Sequence, residues 1–539
     1  MMNTLYYGDN LDILREYIPD ESVDLIYLDP PFNSKQAYNI IFKDKNGKYP
    51  PSQIEAFDDT WHWTDDNEEL LVELTKSQYP PELIQMLHAF RSFLGNSDMM
   101  SYLVMMAIRL WEMHRVLKPT GSIYLHCDPT ASHYLKILMD RIFGVKNFRN
   151  EITWKRTSSH SDSKRWGQVH DILLFFSKSK SFKWNRIYLP YDEKYLADFY
   201  RFKDKRGRYR LDHIIRSASM GPRPNLTYEY KGYTPEWGWR VVRGKLEALD
   251  KEDRIAWSKT RRPYLKRYLE EQKGKSINSV ITDIPPLSKQ SAEKLGYPTQ
   301  KPETLLERII KASSCEGDVV LDPFCGCGTT LAVAEKLGRK WVGIDITILA
   351  INLIEKRLRD NFPDVEYDVV GIPCDVPSAE KLASTREGKF LFEHWFVIAL
   401  GGQPHKSSGG GDKGIDGFLY ARDVKRQTHR IIISVKGGSY GPAAVRDLKG
   451  VVEREGAAAG LLLALNPPST EAKGEAASAG RFSLPGVART YPKVQILTVA
   501  DYFDGLRPDL PDTSETLKKA PRIKREKGKD QELPLNGSD

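Results

Sequence analysis

Two apolar patterns alternate along most of the chain. Short, almost unbroken runs such as VDLIYL (residues 23–28), DVVL (318–321) and KWVGID (340–345) read as strands buried on both faces of a parallel sheet. Residues 98–118 (DMMSYLVMMAIRLWEMHRVLK) and 329–338 (TTLAVAEKLG) instead place apolar side chains at helical spacing. Pro119-Thr120-Gly121 predicts a turn after the first of these helices, followed by the strand SIYLHCD. Strands alternating with helices imply an α/β fold with reactive groups at the C-terminal ends of parallel strands. Beyond a Pro- and Asp-containing connector at 361–385, KFLFEHWFVIAL reads as a helix, and GFLY and IIISVK as a hairpin around ARDVKRQTHR. The segment 506–539 has mixed charge and almost no apolar residues, which predicts disorder.

Composition narrows the class. A chain of 539 residues, 40% hydrophobic and 28% charged, is ordinary globular usage and long enough for two or three domains. Its five cysteines lack the spacing of a disulfide framework or a zinc site, and Cys325 and Cys327 read as small buried residues. The methionines 99, 100, 105 and 106 read as core packing. No basic-then-apolar leader and no apolar run of about 20 residues is present, so the expected compartment is the cytoplasm, without membrane contact. The net charge of +8 is concentrated between Phe182 and Pro285, where 24 Lys or Arg face 14 Asp or Glu. Aromatics are interleaved there, as in Tyr209-Arg210, Trp237-Gly238-Trp239-Arg240, Trp257 and Lys266-Arg267-Tyr268. Such a surface predicts phosphate contacts with stacking, hence a nucleic acid.

Asp29-Pro30-Pro31-Phe32 ends the first apolar run. The exocyclic amino group of a base is a poor nucleophile because its lone pair is delocalised into the ring. A carboxylate (Asp29) and a backbone carbonyl (Pro30) accepting its two N–H bonds would make the nitrogen more tetrahedral. Two prolines fix φ and remove backbone donors, and Phe32 offers a face for an extruded base to stack on. Trp61, His62 and Trp63 follow as residues that could close over that base, and His126 and Asp128 end a strand near the site, in a structural or a substrate-positioning role.

The second motif is LDPFCGCGTT (321–330), in which a strand leads through Gly326 and Gly328 into a helix. A glycine turn between strand and helix lets the backbone approach a nucleotide-like cofactor. Asp345, about 20 residues on, ends the next strand as an acid that binds ribose hydroxyls would. No Lys-Ser/Thr follows the glycines, which argues against a nucleoside triphosphate.

With YYGDNLDIL at the start, LKPTGSIYLHCD (117–128), ITWKR (152–156), HDILLFF (170–176) and YPTQKP (297–302), the chain resembles the permuted β class of amino-methylating DNA methyltransferases over residues 3–358. The resemblance implies a Rossmann-like catalytic domain (1–181 and 286–360) with S-adenosylmethionine as cofactor, interrupted by a target-recognition insert (182–285). It implies that Asp9, Asp322, Phe324, Gly326, Gly328 and Asp345 hold the cofactor, with Lys301 near its methionine end, and that double-stranded DNA is the substrate. DPPF favours adenine N6 over cytosine N4. A homodimer and a separate restriction subunit stay open.

Residues 386–505 resemble the Mrr-like branch of restriction-endonuclease folds through GIDG and SVK. The resemblance implies Asp416 as a Mg²⁺ ligand and Lys436 as the group that orients water for phosphodiester hydrolysis. Ser434 stands where that pattern has Glu, Asp or Gln, a weaker ligand that Glu393 could offset, with Gln427 and Glu453 more remote; His405 and Asp412 read as loop polar residues. Either the domain cuts, as half of a restriction-modification protein, or it is retained to bind DNA beside a solitary methyltransferase.

Overall fold

The computed structural model describes residues 2–31, 37–40, 54–58, 68, 70–72, 74, 79–158, 166–288, 291, 293–295, 299–405, 414–424 and 427–511. Phe32, Trp61, His62, Trp63, Asp412 and the tail from 512 lie outside the described residues.

A nine-stranded sheet organises the catalytic part. Its order from one edge is Val280–Ile281, Phe148–Lys155, His170–Ser177, Leu117–Cys127, Val23–Leu28, Val319–Asp322, Lys340–Asp345, Thr4–Tyr7 and Asp368–Val370. Only His170–Ser177 runs antiparallel to its neighbours. Every residue of Val23–Leu28 is buried, as the unbroken apolar run requires. Its side chains alternate: Leu25 and Tyr27 enter one apolar cluster with the helices Glu303–Ser313 and Ile348–Asn361. Ile26 and Leu28 enter the opposite cluster with Asn10–Glu16, Asp98–Val116 and Pro129–Met139. The result is a helix–sheet–helix sandwich of the Rossmann type.

Two local expectations are corrected. Pro119-Thr120-Gly121 is not a turn but part of the strand Leu117–Cys127, where residues 118–121 bulge against Asp24. Lys118 Nζ donates to Asp24 at 2.7 Å, and a Cβ on Gly121 would come within 2.6 Å of Leu117, which explains the glycine there. The segment 361–385 is more than a connector. Asp368–Val370 pairs with Thr4–Tyr6 as the sheet's last strand, and Asp375 caps the helix Val376–Ala383 through a capping box with Ser378.

The five-stranded sheet of the C-terminal part runs Gln403–Pro404, Gly417–Arg422, Thr428–Lys436, Ala459–Ala464 and Val494–Thr498. It is not separate from the catalytic sheet. The helix Arg386–Ala399 contributes Phe392 and Phe396 to the cluster that also holds Leu5, Tyr7 and Ile354, and Tyr7 Oη donates to the Leu391 carbonyl at 2.8 Å.

Residues Asn185–Ser279 form a compact unit of their own. Its sheet, ordered Ile255–Trp257, Pro263–Tyr268, Gly207–His213 and Phe202–Asp204, is antiparallel. Two of the aromatics expected on a stacking surface, Trp239 and Tyr268, instead lie inside it, whereas Tyr209, Trp237 and Trp257 are half-buried. Trp239 is fully buried with its Nε1–H on the Tyr228 carbonyl at 2.8 Å, and Tyr268 is buried. A unit of this size has few other large side chains with which to exclude water, so these two go inward. Lys266 is likewise buried between Asp204 and Asp253, both at 3.1 Å. The expected cations Arg240, Arg261, Arg262 and Arg267 do face outward, together with Arg201, Lys203, Lys205 and Arg206.

Candidate active site

Leu28 and Asp322 end adjacent parallel strands, so Asp29 and Asp322 meet at the C-terminal edge of the sheet. They line one cavity of about 240 Å³ together with Asp9, Pro30, Pro31, Lys301, Phe324, Gly326 and Asp345. Nine residues singled out from five separate stretches of sequence thus line one cavity. Gly328 lies directly behind it as the left-handed N-cap (φ 71°) of the helix Thr329–Lys336, and a Cβ there would sit 2.7 Å from Ile354. Only glycine combines that backbone with that contact.

Asp29 has two different oxygens. Oδ2 accepts from Lys301 Nζ, which also reaches the Thr299 carbonyl at 3.3 Å. Oδ1 is buried with no hydrogen-bond partner among the described residues. A buried acceptor left unmade costs roughly 1–3 kcal/mol, so it marks where a ligand's donor belongs. Lys301 therefore acts on the carboxylate as well as bounding the cavity.

Burial raises the Asp322 carboxyl to about 7, the neighbouring Asp29 and Asp345 adding to the effect against hydrogen bonds from Thr330 and the Phe324 N–H. Burial also raises Asp345 to about 6, although it accepts from Gly326 N–H at 2.9 Å and from Thr347 N–H and Oγ1 at 2.8 Å. Asp345 thus fastens the glycine turn to the next loop while lining the cavity. Both carboxyls bind protons more tightly in the folded chain than in the unfolded one. Stability contributed by them is therefore present at low pH and lost as pH rises from about 4 to about 7. Asp322→Asn should raise Tm by a few °C at pH 8 and leave it nearly unchanged at pH 4, as thermal unfolding across that range would show.

Several cavity residues were not anticipated. Arg109 Nη2 bridges both oxygens of Asp9 at 2.9 and 2.8 Å, and its Nε donates to Asn10 Oδ1 at 2.5 Å. Asn10 Nδ2 in turn donates to the Pro323 carbonyl at 2.8 Å. Asp9 also caps the helix Asn10–Glu16 by accepting from Leu11 N–H. The available signal was the single Arg inside the otherwise apolar LVMMAIRLW. Met105, read as core, is buried and also lines the cavity. His126 is buried on Tyr27, and Asp128 is the N-cap of Pro129–Met139.

The C-terminal residues form a different picture. Asp416 Oδ2 accepts from Val435 N–H at 2.6 Å and from Ser434 Oγ at 3.2 Å, so the residue in the ligand position donates to the expected metal ligand. Lys436 ends the strand Thr428–Lys436, and Glu393 is half-buried on Arg386–Ala399. Gln427 bonds Asp423 at the hairpin tip, Glu453 faces Lys493, and His405 rests on Phe418. Among the described residues no group of three His, Cys, Asp or Glu could hold a metal ion, and no helix is long and apolar enough to cross a membrane.

Comparison with known proteins agrees with this division. Residues 23–356 match the N6/N4 DNA methylase family, and residues 390–504 match a family described as NACHT-associated inactive restriction endonuclease 1. The type II methyltransferase M.EcaI of Enterobacter cloacae is 32% identical over 66% of this chain and 69% of its own length. The DNA adenine methyltransferase YhdJ of Escherichia coli K12 is 27% identical over 66% of this chain and 82% of its own. Only 58% of the similar M.BamHI of Bacillus amyloliquefaciens is spanned. The solved M1.HpyAVI–SAM complex aligns with 66% of this chain and 98% of that one, at 16% identity and a TM-score of 0.31. By the match over 23–356 and the relationship to M.EcaI, the chain belongs to the N6/N4 family of DNA methylases.

Proposed function

We propose that this protein transfers a methyl group from S-adenosylmethionine to the N6 amino group of an adenine extruded from double-stranded DNA, as part of a restriction-modification system. The observation that carries the reading is the buried, unpartnered Oδ1 of Asp29 at the head of DPPF, in the same cavity as Asp322 and Asp345. The cofactor, when bound, supplies an electrophilic methyl group on a sulfonium. Residues lining the turn fit it: Asp345 and Asp322 as acceptors for hydroxyl or amino donors, and Phe324 as an apolar wall. Asp29 Oδ1 accepts one amino N–H and the Pro30 carbonyl the other, which draws the nitrogen lone pair out of conjugation. As the N–C bond forms at the expense of the methyl–sulfur bond, whose electron pair leaves with the thioether, the nitrogen would become cationic and its surplus proton would pass to the Asp29 carboxylate. The cation of Lys301 balances the charge of that carboxylate beforehand. Such acceptors, fixed in a water-poor cavity, gain strength as positive charge develops.

The C-terminal part is proposed to keep a nuclease fold without cutting DNA. Ser434 spends its hydroxyl hydrogen on Asp416, which supports this reading over a Mg²⁺-dependent nuclease. Sequencing that detects modified bases, on DNA from cells expressing the protein, tests the first proposal. N6-methyladenine in one short motif is the expected result, N4-methylcytosine would reassign the base, and an absence of any mark would overturn it. Unmodified plasmid carrying that motif should stay uncut at 10 mM-scale Mg²⁺, roughly the usual saturating range for such ions, with wild type and Lys436→Ala indistinguishable. Cleavage lost in Lys436→Ala would restore the nuclease.

A further inference from the structure

A buried polar chain runs sideways from the cavity and takes no part in the chemistry above. Tyr27, His126 and Asp171 come from three adjacent strands and are each at most 2% exposed. Tyr27 Oη lies 2.9 Å from His126 Nδ1, and His126 Nε2 lies 3.2 Å from Asp171 Oδ2. The Trp154 ring stands edge-on to the imidazole at 5.8 Å and fixes its plane. Three polar groups removed from water in a sheet core are costly unless paired; here each bonds the next, and Asp171 Oδ1, without a hydrogen bond among the described residues, lies 3.3 Å from Arg156 Nε.

The chain has a direction. Burial pushes the Asp171 carboxyl up, but the His126 hydrogen bond, the His126 charge when that ring is protonated, and the cations of Lys301 and Arg156 outweigh it, so the group sits below its ordinary value and is ionised at neutral pH. A carboxylate only accepts. In an imidazole with one ring hydrogen, that hydrogen must therefore sit on Nε2, which leaves Nδ1 to accept from Tyr27 Oη. The hydroxyl hydrogen of Tyr27 is thereby turned away, and its oxygen lone pairs remain. Tyr27 lines the cavity, two residues before Asp29 on the same face of its strand and beside the strand that ends in Asp322. It thus shares the cavity with both Asp29 and Asp322.

We propose that the Tyr27 oxygen is an acceptor for the C–H bonds of the sulfonium methyl group, and that His126 and Asp171 are positioning residues that keep the hydroxyl turned to accept. The proposal rests on the methyl-transfer reading. A methyl group on a positive sulfur carries partial positive charge on its hydrogens, and an oxygen beside it supplies a weak hydrogen bond of about 0.5–1 kcal/mol. A thioether lacks that methyl and gains nothing from it.

Calorimetric binding of S-adenosylmethionine and of S-adenosylhomocysteine to the full chain tests this without reading activity. Tyr27→Phe should weaken the sulfonium ligand by roughly 2- to 5-fold and leave the thioether unchanged. Asp171→Asn is nearly isosteric yet can donate to Nε2, which moves the ring hydrogen to Nδ1 and the Tyr27 hydrogen toward the methyl. It should shift the ratio of the two affinities at least as far, and add nothing to that ratio in a Tyr27→Phe background. Equal weakening of both ligands, an unchanged ratio in Tyr27→Phe, or additive shifts in the double variant would overturn the proposal. A wild type that binds neither ligand would instead sink the methyl-transfer reading beneath it.

Discussion

Asp29→Asn should lower single-turnover methyl transfer by roughly 10²–10³-fold while cofactor affinity changes little. The size follows from what one preorganised partner of a developing charge is worth, about 3–4 kcal/mol when it is removed. Asn keeps the volume, so the cavity stays shaped. Its side chain can still offer an oxygen to Lys301, but it then turns an NH₂ toward the place where Oδ1 now waits for a donor. Two donors would face each other. Asp29→Ala is the harsher change because it also takes the carboxylate away from the Lys301 cation, which is only 8% exposed. Removing one member of a buried pair costs about 3–5 kcal/mol, so this variant should lose stability as well as activity. Asp29→Ala combined with Lys301→Met separates the two effects: Tm should recover and transfer should not. Labelled-methyl incorporation and thermal unfolding on the same samples measure both, and recovery of transfer in the double variant would show that Asp29 matters only for folding.

What could be read from sequence was what local chemistry marks. VDLIYL, DVVL and KWVGID announce themselves because strands buried on both faces need unbroken apolar runs, and the glycines 326 and 328 because nothing else adopts that turn. The Asp29–Lys301 pair spans 272 residues and leaves no local trace, so its partnership had to come from the fold. Asp368–Val370 was hidden because a three-residue edge strand has no period to detect. The stacking role expected for Trp239 and Tyr268 in the insert failed for a different reason. Interleaved Trp, Tyr and Arg look alike whether they stack on bases or build a small core, and Trp239 shows that burial won.

The C-terminal sheet has a structural role beside the catalytic one. Tyr7 immediately precedes Gly8 and Asp9 at the cavity, and its hydroxyl is fixed by Leu391 from the nuclease-like part. The strand Thr4–Tyr7, which leads to Asp9 at the cavity, is therefore braced by the helix Arg386–Ala399 behind it.

Arg109→Met should weaken cofactor binding by about 30- to 100-fold, the second largest effect expected. Arg109 is the meeting point of three turns: it clamps Asp9 bidentately and Asn10 through Nε, and Asn10 reaches the Pro323 carbonyl beside Asp322. Met preserves the apolar stem and removes the bonds to Asp9 and Asn10 together with the one from Nη1 to the Met105 carbonyl at 3.3 Å. Asp9 would then be left as an anion only 21% exposed at its side chain, with its helix-cap bond as its remaining support. Loss of one buried partner is worth about 3–5 kcal/mol, and the partial exposure of Asp9 trims that toward 2–3 kcal/mol. Arg109→Lys should not rescue, because an ammonium cannot reproduce a fork that serves two side chains at once. Adding Asp9→Asn to Arg109→Met removes the stranded charge, so stability should return in part while affinity stays low, since the cavity wall that Asp9 forms has been altered. Calorimetry on the three variants decides between the alternatives: an Arg109→Met protein that binds within threefold of wild type would mean that the clamp supports the fold and not the cofactor.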